Sequence, residues 1–378
     1  MQTTAERLIS PRAATAGLLS FGLIGAAQAL YGPALPGFAE TFALPSGAAG
    51  LILSVHNAGA LLGVLSALPL AGRRVARWRA GGALLLLAAG SLVVGTASLW
   101  SLTLLGAFVI GLAYGALTIG LNSLYAVGFG ARSPAMVNLL NAVFGIGAIL
   151  GPVLVALNPT KVRVPFLVLC AVAAIVVPLA LTLDDRLPTP SKNQNEASKP
   201  HYLAACVLLL ALGVGVEAGT IGYAATYLVT LGETTGTAAL VTSLFFLLFT
   251  LSRLAAIRLS LKFAPPQLVT GGLSLTFVLL LLSHYVSLAP FTVALSGAAL
   301  GLFFPNAINW FSGVFGGSTK TVLIISGALL GGVVAPAFVS WMIVLFGKDS
   351  IITTLLALNM FSLLTGGFIA ARLRSRVG

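Results

Sequence analysis

Twelve apolar runs, each near the length a helix needs to cross a bilayer, dominate this chain. Reading apolar stretches against polar breaks places them at 14–37, 47–70, 80–98, 102–127, 135–157, 165–183, 202–230, 236–259, 267–286, 290–313, 321–346 and 351–371. A helix rises about 1.5 Å per residue, so about 20 residues cover the roughly 30 Å hydrocarbon core. Composition agrees. Of the 378 residues 58% are apolar and 7% charged, whereas a soluble domain carries about 25% charged residues. A membrane β-barrel would show short segments alternating apolar and polar residues; these runs are continuous. The 43 glycines suit membrane helices whose backbones approach closely. The chain reads as an all-α membrane protein with about twelve transmembrane helices. Its first run is too long for a secretory leader, and more runs follow it.

The net charge of +12 invites a nucleic-acid reading, and its distribution excludes one. Seventeen of the 20 Lys and Arg fall in one alternating set of breaks, including Arg73, Arg74, Arg77 and Arg79; only Lys161, Arg163 and Lys348 fall in the other. By the positive-inside tendency both termini are cytoplasmic, as for a multi-pass protein of the cell (inner) membrane. Cys170 and Cys206 lie within predicted spans, and neither a disulfide framework nor a metal-ligand spacing is present. No Gly-Lys-Ser or Gly-Lys-Thr phosphate loop occurs, so an ATP-driven pump is not expected. Neither an enzyme nor a cofactor is indicated, and a monomer is expected.

Residues 184–200 form the longest polar break and read as a cytoplasmic linker. It separates two halves of six spans, 1–183 and 201–378. The halves resemble each other. Ala49-Gly-Leu-Ile-Leu-Ser54 recurs as Ala238-Ala-Leu-Val-Thr-Ser243, Gly111 and Gly115 recur as Gly297 and Gly301, and Gly147-Ala-Ile-Leu-Gly151 recurs as Gly327-Ala-Leu-Leu-Gly331. In-order repeats of this kind typify secondary transporters.

At this point the chain resembles the major facilitator superfamily over nearly its whole length. Three segments are similar to the branch of fucose permeases and sodium- or proton-coupled sugar carriers. They are Asn138 to Pro152 in the fifth span, Gly111 to Asn122 in the fourth, and Gly215-Val-Glu217 followed by Tyr223 and Tyr227 in the seventh. The resemblance implies two pseudo-symmetric six-helix bundles and a site near the membrane midplane, with spans one, four, seven and ten around it. There are departures. The fourth-span position often filled by an acid is Thr118, the fifth-span position often filled by His is Asn141, and the loop motif after the second span keeps its basic cluster, Gly72 to Arg77, without its Asp.

Glu217 is the one carboxylate that falls mid-run; the other acids lie at breaks. A buried membrane charge costs several kcal/mol, so such groups face a bundle interior or a wet cavity. A carboxyl that is neutral when occluded and charged when wet is what a proton-coupled carrier needs. A sodium-coupled carrier would use Glu217 with backbone carbonyls, freed by a helix break at Gly213, Gly215, Gly219 and Gly222. His56, beside Asn57, is the second ion-coupling candidate, against a plain interhelical hydrogen bond. Asn122, Asn141, Asn306 and Asn309 are amides that both donate and accept, which suits polyhydroxy ligands. Gln28, Tyr31, Tyr223, Tyr227 and Trp310 complete the substrate-binding candidates, with Asn306 and Trp310 on one helical face. Half of the amides are as well explained by bridging helices. Arg253 is a candidate for a cytoplasmic gate, pairing with a carbonyl or an acid of the other half; snorkelling is the simpler reading.

The leading function is secondary active transport of a small polar, sugar-like solute by alternating access, coupled to a proton or sodium ion. Alternatives are a proton-driven exporter of drugs or other lipophilic compounds, a non-transporting receptor of the same fold, and a channel.

Overall fold

The protein is described by a computed structural model over residues 9–66, 76–183, 200–315 and 319–374. The expected linker therefore lies outside the described residues, as do Arg73 and Arg74. Every element is helical among the described residues. The helices are α1 (Pro11–Thr41), α2 (Leu51–Leu65), α3 (Ala76–Thr96), α4 (Trp100–Val127), α5 (Ser133–Ala156), α6 (Val164–Ala180), α7 (Pro200–Thr230), α8 (Thr235–Leu259), α9 (Pro265–Leu282), α10 (Ala289–Gly301), α11 (Phe303–Phe315), α12 (Thr319–Phe346) and α13 (Ser350–Arg374). Eleven spans are long and apolar enough to cross a bilayer, and α6 is a shorter apolar helix. Together they account for the twelve runs read from the sequence.

The tenth run is one span made of two helices, since α10 and α11 together cover Ala289–Phe311. The sequence explains the break at Leu302. Pro305 has no N–H, and its ring clashes with the carbonyl four residues earlier. Asn306 then donates from Nδ2 to the Leu302 carbonyl at 2.6 Å, tying its side chain to the break. The break expected at the glycines of the seventh run does not form, because α7 is continuous over its 31 residues. A helical glycine keeps its N–H and its hydrogen bond, so glycine alone does not cut the ladder. These glycines instead admit neighbours. A Cβ at Gly213 would collide with the Phe303 ring, at Gly215 with Ala335, and at Gly219 with Leu355.

The chain forms two compact units, one of Met1–Leu30 with Val55–Ser191, the other of Tyr31–Ser54 with Lys192–Gly378. Residues 31–54, counted with the first half by sequence order, thus pack with the second unit. In the first unit, α4 lies against α2 with Gly111 under the His56 carbonyl and Gly115 under the Ala60 carbonyl; α5 lies against α1 with Gly147 under Gly22 and Gly151 under Ala26. In the second unit, α10 lies against α8 with Gly297 under the Phe245 carbonyl and Gly301 under Phe249; α12 lies against α7 with Gly327 under Val207 and Gly331 under Ala211. The repeated glycines of the sequence are therefore repeated helix contacts. Each is a close backbone approach that any side chain would block.

In the second unit, Tyr31–Ser54 joins α7 and α12 through further glycines. Gly32 sits under the Ile221 carbonyl, Gly222 meets Leu53, and Gly50 leaves room for the Tyr223 ring. Gly47, at φ 85°, adopts a backbone conformation that suits glycine, and its carbonyl accepts from Ser340 Oγ at 2.6 Å.

Candidate functional site

In the second unit, Glu217 lies 17 residues from the start of the 31-residue α7, near its middle. The side chain is half-buried, and Oε2 is enclosed without a hydrogen-bond partner. The charge that acts on it is the Arg253 guanidinium of α8. Arg253 is itself half-buried, with its Cζ 4.2 Å from the Phe249 ring centroid. Phe249 stacks on Phe245 at 6.0 Å and 18°. The two carbonyls that Gly297 and Gly301 approach belong to these same phenylalanines. A glycine pair thus seats the aromatic pair, and the aromatic pair holds an arginine by cation–π contact within the field of Glu217. The sequence reading offered Arg253 a backbone carbonyl or an acid of the other half; the acid its charge acts on, Glu217, lies in its own unit. Nothing in the spacing of Glu217, Phe249 and Arg253 announces this, because the three meet only when α7 packs on α8.

The other second-unit candidates divide by environment. Tyr223 donates to the Pro336 carbonyl and Tyr227 to the Ser283 carbonyl, each at 2.7 Å. Both hydroxyls are thereby committed as donors. Tyr31 is buried. Asn306 is 2% exposed at the α10–α11 break, whereas Asn309 is exposed. Trp310 stacks on Phe311 at 5.2 Å within an apolar cluster that includes Cys206, Leu209 and Val269. Asn306 and Trp310 do share a helical face, and both are buried.

In the first unit, His56 Nε2 lies 2.9 Å from Gln28 Oε1. The imidazole is 1% exposed and meets the Tyr114 ring edge-on at 5.5 Å; Tyr114 in turn meets Phe144 at 6.3 Å. Asn57 is half-buried beside it in sequence. Asn122 donates to the Thr118 carbonyl at 2.9 Å and Asn141 to the Val137 carbonyl at 2.8 Å. Each amide has a second N–H and an acceptor oxygen beyond that bond. Thr118 Oγ1 is enclosed with no partner. The unit also holds a contact the sequence reading missed: Tyr125 donates to the Ala14 carbonyl, and its ring occupies the space left by Gly17. The pair had no visible signal, being 111 residues apart.

The sequence model of the Major Facilitator Superfamily matches residues 17–232, more than half of the chain. The chain belongs to this superfamily. It is accordingly a multi-pass secondary transporter rather than an enzyme. A search of curated proteins finds no match. Transporters of known structure share the fold at low identity. A D-xylose–proton symporter aligns at TM-score 0.73 and 14% identity, over 95% of this chain and 96% of its own. The nucleoside transporter NupG aligns at 0.72 and 14%, over 95% and 98%. FucP in an outward conformation aligns at 0.60 and 18%, over 94% and 98%. As a superfamily member, this chain carries small solutes across a membrane.

Proposed function

We propose that the protein is a proton-coupled carrier of a small, uncharged, polar solute, working by alternating access with Glu217 as the coupling group. The observation that carries this is the Glu217 carboxyl in mid-span, its Oε2 enclosed and the Arg253 guanidinium close enough for its charge to act on it. An intramembrane acid of this kind is rarely structural. A resident cation lets the ionised carboxylate exist without a co-ion, which suits a group that gains and loses a proton. The sodium reading needs several hard oxygen ligands, and the unbroken α7 frees no carbonyls beside Glu217. The Gln28–His56 pair and the half-satisfied amides of Asn122 and Asn141 offer donors and acceptors without charge, which favours a hydroxylated solute such as a sugar or nucleoside.

Uptake into proteoliposomes under separately imposed proton and sodium gradients tests this. Concentrative uptake should follow the proton gradient. Glu217→Gln should abolish accumulation while leaving exchange partly intact, because Gln keeps hydrogen bonding and cannot titrate. Full accumulation by Glu217→Gln, or drive by sodium at fixed pH, would refute the assignment.

A further inference from the structure

In the first unit, the contact between Gln28 and His56 divides the work of the glutamine amide. Gln28 Oε1 lies 2.9 Å from His56 Nε2. An amide oxygen only accepts, so the imidazole carries a proton on Nε2 and donates it. The other end of the amide holds two N–H donors. Among the described residues it makes no hydrogen bond, and it is not enclosed, since Gln28 is only half-buried.

The imidazole is held in place from two sides. Gly111 of α4 sits directly under the His56 carbonyl, and Gly59, nearly one turn further along α2, meets the Phe108 carbonyl of α4 as closely. This seam fixes the backbone that carries the ring. The ring itself meets Tyr114 edge-on at 5.5 Å. A donor fixed in this way offers its N–H at one place, and the amide it grips has one orientation. Sealed from water at 1% exposure, the imidazole is poorly placed to load and release a proton in each cycle. We propose that His56 is a positioning residue that acts through Gln28 and does not carry the coupled proton. It turns the amide so that its NH2 group faces the solute. The solute then presents an acceptor oxygen there, such as a hydroxyl, ring ether or carbonyl. The proposal rests on the reading of the first unit's polar groups as a solute site, and it leaves coupling to Glu217.

Proteoliposome uptake of uridine and of D-xylose, as parallel probes, tests this together with nitrogen NMR of the labelled imidazoles in the full-length protein. His56→Leu removes the donor and should raise KM about five- to tenfold, the scale of one hydrogen bond, with kcat kept. Gln28→Leu should raise it at least as much, and the double variant no further than Gln28→Leu, because the two residues act as one. His56→Gln places an amide N–H near the position of Nε2 and cannot titrate. It should recover most of the lost affinity and still accumulate solute against a gradient. Loss of accumulation in His56→Gln with exchange intact would make His56 a proton carrier, and multiplying effects of His56→Leu and Gln28→Leu would separate the pair; either overturns the proposal. The spectra need no solute. Nε2 should carry the proton, and Gln28→Leu should shift that signal. A proton on Nδ1 alone, or a signal indifferent to Gln28→Leu, overturns the proposal even where His56→Leu does not fold. Uptake of neither probe by the wild type refutes the solute class proposed above, and with it the role of Gln28, whereas the spectra still decide whether His56 holds the amide.

Discussion

Arg253 is the residue whose replacement separates charge from geometry. Its Cζ lies 4.2 Å from the Phe249 ring centroid, and a lysine ammonium is a compact point charge rather than a planar guanidinium. Arg253→Lys should keep the countercharge to Glu217 and lose positioning, retaining a measurable fraction of proton-driven uptake. Arg253→Gln removes the charge that acts on Glu217 and leaves a half-buried carboxylate without a countercharge. Uptake should fall more than tenfold beyond the Lys variant, with surface expression checked by immunoblot. Equal activity of the two variants would show that the charge is idle. Glu217 was legible in the sequence because a lone acid inside an apolar run is costly wherever it points. Its partner was not, because Arg253 sits near the end of its own run, where snorkelling explains an arginine equally well.

Among the elements, the glycine seams make the clearest quantitative prediction. Gly111 and Gly297 occupy matching places, under the His56 and Phe245 carbonyls, and a Cβ at either would overlap a backbone oxygen. Gly111→Ala and Gly297→Ala should each destabilise the protein by about 1–3 kcal/mol, the usual cost of overpacking. Gly82→Ala and Gly271→Ala meet nothing and should be neutral or slightly stabilising, since alanine is the better helix former. Detergent melting curves of the four variants check this, and a common effect in all four would contradict the seam. The seams were legible because glycine recurred in order in both halves. The α10–α11 break was not, although Pro305 stood in plain view. Glycine-rich α7 drew the expectation of a break, but glycine changes what may approach a helix whereas proline changes the helix itself.

At the scale of the molecule, the twelve spans followed from length and hydropathy, because only helices of that size satisfy every backbone group in lipid. The basic asymmetry predicts cytoplasmic termini, so a cysteine placed at Ser198 should be shielded from impermeant reagents added to intact cells. Labelling from outside would reverse the topology. The grouping of Tyr31–Ser54 with the second unit could not be read from sequence, since α1 and α2 are each continuous helices through the change of unit. That segment is held by Gly32, Gly47, Gly50 and Gly222 and by the Ser340 hydroxyl. None of these contacts is between charges. The Debye length shrinks from about 30 Å to 3 Å between 0.01 and 1 M salt, which weakens charge pairs and leaves apolar contact alone. Exchange of an uncharged solute at saturation should therefore run at nearly the same rate in dilute buffer and in brine.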